Sequence, residues 1–296
     1  MCVSAARRAT ASSLRQPAAC LPSISTPQLA LLKVVNTMLP EQMRVEQDTL
    51  GDVDVPADAY YGAQTQRAVT NFQISGTVQS SPRPLIKALG MVKLAAVRTN
   101  RALGDIDERR FAAIETACEE IIGGAFDDQF VIDVYQGGAG TSTNMKANEI
   151  IANRALEHLR FSKGRYDEIH PNNHVNLSQS TNDVYPTAIR LALLDSSEEL
   201  VRGLHELAAA FDLKAGEFAD ILKLGRTQLQ DAVPMTLGQE FGAFATTLRE
   251  DILRVREVAR FMLEINLGGT AIGTGITADP AYSGHVVAEL VVPSKA

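Results

Sequence analysis

Three stretches of this sequence set small hydroxyl and amide residues beside glycine or at a helix start. The first is Gly138-Ala139-Gly140-Thr141-Ser142-Thr143-Asn144-Met145. Glycine lets a backbone come close to a ligand, and a helix beginning after it offers unpaired N–H groups and the positive end of its dipole. That combination can hold a carboxylate. The bland alternative makes Thr141, Ser142, Thr143 and Asn144 helix caps, a role these residue types fill well. The second stretch, Gln179-Ser180-Thr181-Asn182-Asp183, also precedes a long helical pattern, and the same two readings apply. The third runs from Gly225 through Thr227 and Gln228 to Met235, between two long helical patterns. A loop so dense in hydrogen-bonding groups is a functional candidate, with polar packing between helices as its alternative.

Other reactive residue types are sparse. The cysteines are Cys2, Cys20 and Cys118. An odd number without C-x-x-C spacing argues against a disulfide framework and a zinc site, and fits a reducing compartment. Cys118 falls on an apolar helix face and reads as core. His170 and His174, in His170-Pro171-Asn172-Asn173-His174-Val175-Asn176, lack a carboxylate third ligand and make a poor metal site. Their plain reading is a hydrogen-bonded structural loop. Neither a metal nor an organic cofactor is expected.

The elements that must position these stretches are mostly helices. Residues 44–80 read as extended or irregular, punctuated by Gly51, Pro56, Gly62 and Gly76. A helix is expected from Pro84 to about Leu103. Another should start at the N-cap Asp107, carry Phe111, Ile114, Cys118 and Ile121 on one face, and end at Gly123-Gly124. A turn at Gly137-Gly138-Ala139-Gly140 leads to a helix from about Asn144 to Leu159, then a polar loop from about Ser162 to Thr181. Two long helices follow, about Pro186–Leu222 and Pro234–Leu267, with Pro234 suited to a first turn. Leu200, Leu204, Leu207 and Phe211 on one, and Phe241, Phe244, Leu248 and Ile252 on the other, repeat in threes and fours. That is bundle packing. Each helix would be about 50 Å long at 1.5 Å per residue. Two such helices cannot cover both apolar stripes alone, so further helices, from this chain or from other subunits, are expected against them.

The fold class is therefore all-α: a helical N-terminal domain (43–180) followed by part of a long central bundle (181–296). Composition agrees. Of 296 residues 45% are hydrophobic and 21% charged, as in globular proteins, and the 5% of aromatics without Trp favour aliphatic helix packing. A net charge of -7 leaves no nucleic-acid footprint, and no apolar run reaches the ~18–20 residues of a membrane span. Residues 1–42 stand apart. They hold Arg7, Arg8, Arg15 and Lys33 with no acid before Glu41, like a mitochondrial transit peptide. The alternative is an upstream extension, since Met38 and Met43 are both possible starts.

Taken together, Asp133-Val134-Tyr135-Gln136-Gly137-Gly138-Ala139-Gly140-Thr141-Ser142, the second stretch, and Gly225 through Phe241 resemble the boxes of the aspartase/fumarase superfamily in order and separation. With Val55-Pro56-Ala57-Asp58-Ala59-Tyr60-Tyr61-Gly62, they resemble its aspartate ammonia-lyase branch in particular. A fumarase more typically shows Ser-Gly-Thr-Gln in the first box and His in place of Gln228. The resemblance runs from about Met43 to Val292. It implies β-elimination of ammonia from L-aspartate to give fumarate, in a cytoplasmic homotetramer whose sites combine boxes from different subunits. A transit peptide would make it mitochondrial instead. It also implies roles: Thr141, Ser180 and Thr181 would hold the reacting carboxylate, Asn182 would help bind substrate, and Thr227 with Gln228 would contact its other end. The superfamily's base is a Ser in a Gly-Ser-Ser-x-Met-Pro-x-Lys-x-Asn loop whose Lys and Asn anchor a carboxylate. No such segment occurs in these residues, so no catalytic residue is assigned and the chain alone is expected to have little lyase activity. The other readings are a fumarase and a non-catalytic helical partner of a full-length lyase. Lys146 stands where the superfamily has Asn; it is expected either to tighten anion binding or to misplace the helix start.

Overall fold

The computed structural model describes residues 42–79, 83–136 and 138–291. The expectations for residues 1–42 as an extension or transit peptide fall almost wholly outside them. Helices dominate, as expected. The stretch read as extended or irregular holds two strands and a helix that the sequence reading did not propose. Strands β1 (Met43–Asp48) and β2 (Gly51–Pro56) pair antiparallel, and helix α1 (Ala63–Asn71) follows. The alternation of charged and apolar residues in Arg44-Val45-Glu46 and Asp52-Val53-Asp54-Val55 is a strand pattern.

No side chain of α1 or its N-cap Gly62 caps this helix. The carboxylate of Glu149, remote in sequence, does so instead. It accepts from the backbone N–H groups of Gly62, Gln64 and Thr65 at 2.8–3.1 Å and from the Thr65 hydroxyl at 2.6 Å. Burial pushes the Glu149 carboxyl up to about 7, against the pull of these donors. A carboxyl raised from 4.5 to about 7 in the folded state holds its proton there while the unfolded chain has lost it. Its contribution to stability therefore falls as pH rises from about 4.5 to about 7, by about 3 kcal/mol at ~1.4 kcal/mol per pH unit. Glu149→Gln should lose this decline. Urea midpoints at pH 5 and pH 8 should differ less in the variant than in the parent, and an unchanged difference would refute the assignment.

Helices α2 (Arg83–Leu103) and α3 (Glu108–Gly123) pack as a pair. Asp107 caps α3 by accepting from the Arg110 N–H, and Gly124 closes it in the left-handed conformation, both as the sequence predicts. Helix α2 is buried from Ile86 through Val97, with only Lys87 in that run less than fully covered. Around it lie α3, the first turns of α5 (Thr181–Glu217), and α7 (Tyr282–Val291), a short helix the sequence reading did not propose. Helix α4 (Thr141–His158) supplies Ile150, Ile151, Ala155 and Leu156 to the same core. Cys118 is free and buried there.

The two long helices differ from their expected bounds. Helix α5 begins at Thr181, five residues before Pro186. That proline sits far enough into the helix that its ring must be accommodated against the first turn. Helix α6 spans Leu237–Ala259. The third polar stretch is a hairpin, not an interhelix loop: β3 (Leu222–Thr227) pairs with β4 (Gln230–Thr236), and Pro234 lies in the strand opposite Leu224. The helix start falls to Thr236, whose hydroxyl and the Gln239 side chain form a reciprocal cap. Phe211 of α5 packs on Phe241 and Phe244 of α6, and Phe218, the residue just past α5, packs on Phe241, while Leu193, Leu200, Leu207 and Leu213 stay exposed. The long helices thus join through their aromatic positions and leave much of the leucine stripe uncovered, as the length argument requires.

Candidate functional site

The first two polar stretches meet. Gly140, at φ +87°, starts α4 and offers no side-chain cap. Thr141 to Asn144 therefore lie inside the helix rather than capping it. Thr141 is exposed, whereas Thr143 and Asn144 are buried. A methyl group on Gly140 would lie 2.1 Å from Cδ1 of Tyr185 in α5, so the glycine lets the two helix starts touch. Asn144 completes the junction: its Nδ2 donates to the Thr181 hydroxyl at 3.0 Å and to Asn176 Oδ1 at 3.2 Å.

The second stretch does cap its helix. Ser180 Oγ accepts from the Asn182 N–H, and Asp183 accepts from the Ser180 N–H at 2.9 Å. Capping and ligand binding are compatible here, because Ser180 and Thr181 remain partly open and Asn182 is exposed. A further loop reaches this corner. Asp183 Oδ2 accepts from the N–H groups of Gly268 and Thr270, and Asn182 Nδ2 donates to the Ala271 carbonyl at 2.8 Å. Burial raises the Asp183 carboxyl, and these N–H groups and Lys93 pull it back.

Sequence reasoning missed Lys93. It is fully buried, and its ammonium donates to Asn176 Oδ1 at 2.8 Å and Gln179 Oε1 at 2.9 Å, directly beneath the second stretch. Burial lowers its pKa to about 7, opposed by the charge of Asp183. The available signal was one lysine inside the apolar run Gly90–Val97; a cation on a core-facing helix position needs a polar reason.

Lys146 fulfils neither expectation. It turns away from the helix start into the core, where it donates to Gln79 Oε1 at 2.5 Å and lies 4.7 Å from the centre of the Phe130 ring. Burial drives its pKa well below 10.5. Gln79 also bonds the Thr143 hydroxyl, which can supply the donor that Lys146 gives. Lys146→Met is therefore expected to stabilise the protein by about 1–2 kcal/mol near neutral pH. The unfolded chain gains the proton that folding strips, so this gain should shrink as pH rises toward 10.5. Thermal melts at pH 7 and pH 10 test both points, and a destabilised variant at pH 7 would contradict them.

His170 and His174 follow the structural reading. The His170 ring accepts from the Asn172 and Asn173 N–H groups, and the His174 ring accepts from the His170 N–H. Burial lowers both pKa values, so both rings favour their neutral, accepting form. Among the described residues no group of three or more His, Cys, Asp or Glu could hold a metal ion, and no helix is long and apolar enough to cross a membrane.

Thr227 and Gln228 are not brought to this corner. They form the exposed tip of the β3–β4 hairpin, where Gln228 and Leu229 both take positive φ, as a two-residue turn of this kind demands. The 37 residues of α5 separate that end from Thr181, about 55 Å at 1.5 Å per residue.

Two helix starts that carry hydroxyls and amides thus meet at one corner, on a frame of long helices. The chain belongs to the family described as Lyase, which matches residues 51–295. It is 59% identical over 252 residues to the aspartate ammonia-lyase of Pseudomonas aeruginosa, covering 85% of this chain and 53% of that protein. The corresponding enzyme of Escherichia coli strain K12 is 50% identical over 249 residues, 84% of this chain and 52% of that one. Among solved structures, a fumarate lyase:delta crystallin from Brucella melitensis superposes with a TM-score of 0.83 at 57% identity, covering 86% of this chain and 55% of that one. A class II fumarase from Schistosoma mansoni superposes with a TM-score of 0.79 at 34% identity, covering 86% and 53%. The chain spans about half the length of the curated relatives it matches.

Proposed function

We propose that this chain forms part of an ammonia-lyase of the aspartase type, which reversibly eliminates ammonia from L-aspartate to give fumarate. The observation that carries the reading is the junction of the two helix starts through Asn144 and Thr181, supported by the likeness to curated aspartate ammonia-lyases. In such an elimination a base takes a proton from the carbon next to the side-chain carboxylate, and the electron pair left behind spreads onto that carboxylate. The C–N bond then breaks and ammonia leaves. Neutral donors fixed in advance stabilise the doubly charged intermediate without rearranging as the charge develops. Thr141, Ser180 and Thr181 are the donors proposed for that carboxylate, and Asn182 a further contact. Thr227 and Gln228 are proposed to meet the other end of the substrate. Since they lie at the far end of α5, they would come from another copy of the chain, in a homotetramer. The base and the cationic anchor are to be sought outside these 296 residues, and this stretch assayed alone is expected to yield no fumarate.

The test is fumarate formation, followed by absorbance, from L-aspartate and from L-malate, by the protein that carries this stretch together with a Gly-Ser-Ser-x-Met-Pro-x-Lys-x-Asn loop. Fumarate with equal ammonia from L-aspartate, and none from L-malate, is expected. Turnover of L-malate with L-aspartate untouched would replace the reading with a hydratase.

A further inference from the structure

A hydroxyl can donate or accept, and which it does at a substrate depends on what already occupies its oxygen. At Thr181 the structure settles this through a chain of groups that have no choice. The Gln179 side-chain N–H2 donates to the carbonyls of Val175 and Leu177, so its oxygen faces Lys93. The Asn176 N–H2 donates to the carbonyl of Gln179, so its oxygen faces Lys93 and Asn144. Those carbonyls can only accept. Neither amide can therefore be reversed without setting two oxygens against each other, whether or not Lys93 carries its proton. Asn144 must then present its N–H2 to Asn176 Oδ1, and the second hydrogen of that group points at Thr181 Oγ1, 3.0 Å away. Asn144 is fully buried, and its own oxygen has no hydrogen-bond partner among the described residues.

We propose that Asn144 is a positioning residue: by donating to Thr181 Oγ1 it leaves the hydroxyl proton of Thr181 free to donate to a substrate carboxylate. Asn176, itself fixed by the Gln179 carbonyl, holds the Asn144 amide in that sense. The inference deepens the ammonia-lyase reading and rests on it for the identity of the ligand; the polarity of the hydroxyl does not depend on it. A carboxylate has only acceptors, so a Thr181 hydroxyl turned inward toward Asn144 would offer it a lone pair and repel it. The Gln179 carbonyl, acting through Asn176 and Asn144, sets the sense of a bond at the site without touching substrate.

Two measurements test this. Neutron diffraction from crystals of this chain exchanged into D2O should show two deuterons on the Asn144 nitrogen and the Thr181 deuteron pointing away from Asn144. A Thr181 deuteron directed at Asn144 would overturn the proposal, whatever the protein turns over. In the active protein, Asn144→Asp keeps the shape but replaces the donor with an acceptor, which draws the Thr181 proton inward. It should lower kcat/KM for L-aspartate by roughly 30-fold or more in the parent and by less than about 3-fold in Thr181→Val, where there is no hydroxyl to orient. Equal losses in both backgrounds would mean that Asn144 only supports the fold, and would sink the proposal. If no L-aspartate is turned over, the lyase reading fails, and the deuteron positions still decide the polarity.

Discussion

Gly140→Ala is expected to cost about 3 kcal/mol of stability and to part the two helix starts that build the candidate site. Two independent penalties add. The residue sits at φ +87°, where an L side chain costs roughly 1–2 kcal/mol. Its Cβ would lie 2.1–2.4 Å from Cδ1, Cγ and Cε1 of Tyr185, and overpacking of that kind costs about 1–3 kcal/mol. The clash reaches the root of the ring, so it cannot be relieved by moving a flexible tip; the helix must shift or the ring must turn out. Either motion pulls on the Asn144–Thr181 bond. Gly203→Ala is the control. It lies within α5 with nothing within 4 Å of the added carbon, and should stabilise by about 0.5–1 kcal/mol through helix propensity. Chemical denaturation of the two variants decides the matter. A Gly140→Ala protein as stable as the parent would show that the contact with Tyr185 is not needed.

The second large effect concerns subunit mixing. On the lyase reading, in the protein that carries this stretch together with the Gly-Ser-Ser-x-Met-Pro-x-Lys-x-Asn loop, Thr181→Val and Thr227→Val each remove a donor from every site and should each cut kcat by about 100-fold or more. About 55 Å of helix separates the two residues in one chain, so a single site can draw them only from different copies. Mixed tetramers of the two variants, refolded together, should therefore contain some sites with neither substitution and recover up to about a quarter of parental activity. Recovery no greater than the sum of the separate variants would mean that both residues of a site belong to one chain, or that one of them is not in the site at all.

Much of this architecture was legible beforehand, for identifiable reasons. Asp107 and Gly124 mark the ends of α3 because capping chemistry is local and depends on few atoms. The aromatic and leucine repeats of α5 and α6 show their helical character because the period survives over many turns. The hairpin tip at Gln228–Leu229 was not legible: two non-glycine residues at positive φ carry none of the Asn-Gly signal of such turns, and Pro234 mimicked a helix start. The two polar stretches stood out by residue type. Their junction did not, since it depends on a buried asparagine beneath Thr181 and a missing side chain at Gly140. The Glu149 cap of α1 spans more than eighty residues of sequence, and no local pattern announces such a bond. Lys146 was misjudged because sequence gives its position along α4 but not the side of the helix on which its amine ends.

The clasp of Asp183 on the N–H groups of Gly268 and Thr270 has a consequence in time. Its partners lie 85 and 87 residues further along the chain. During synthesis the second polar stretch can form its helix cap at once from Ser180 and Asp183. The other oxygen of that carboxylate must wait until α5, the hairpin and α6 have all been made and folded back. Loop closure over such a span is slow, so the start of α5 spends the interval half-assembled, with a charged group waiting at the edge of the core. Amide exchange in a refolding pulse should register that delay at Gly268 and Thr270, well after Asn182 has become protected.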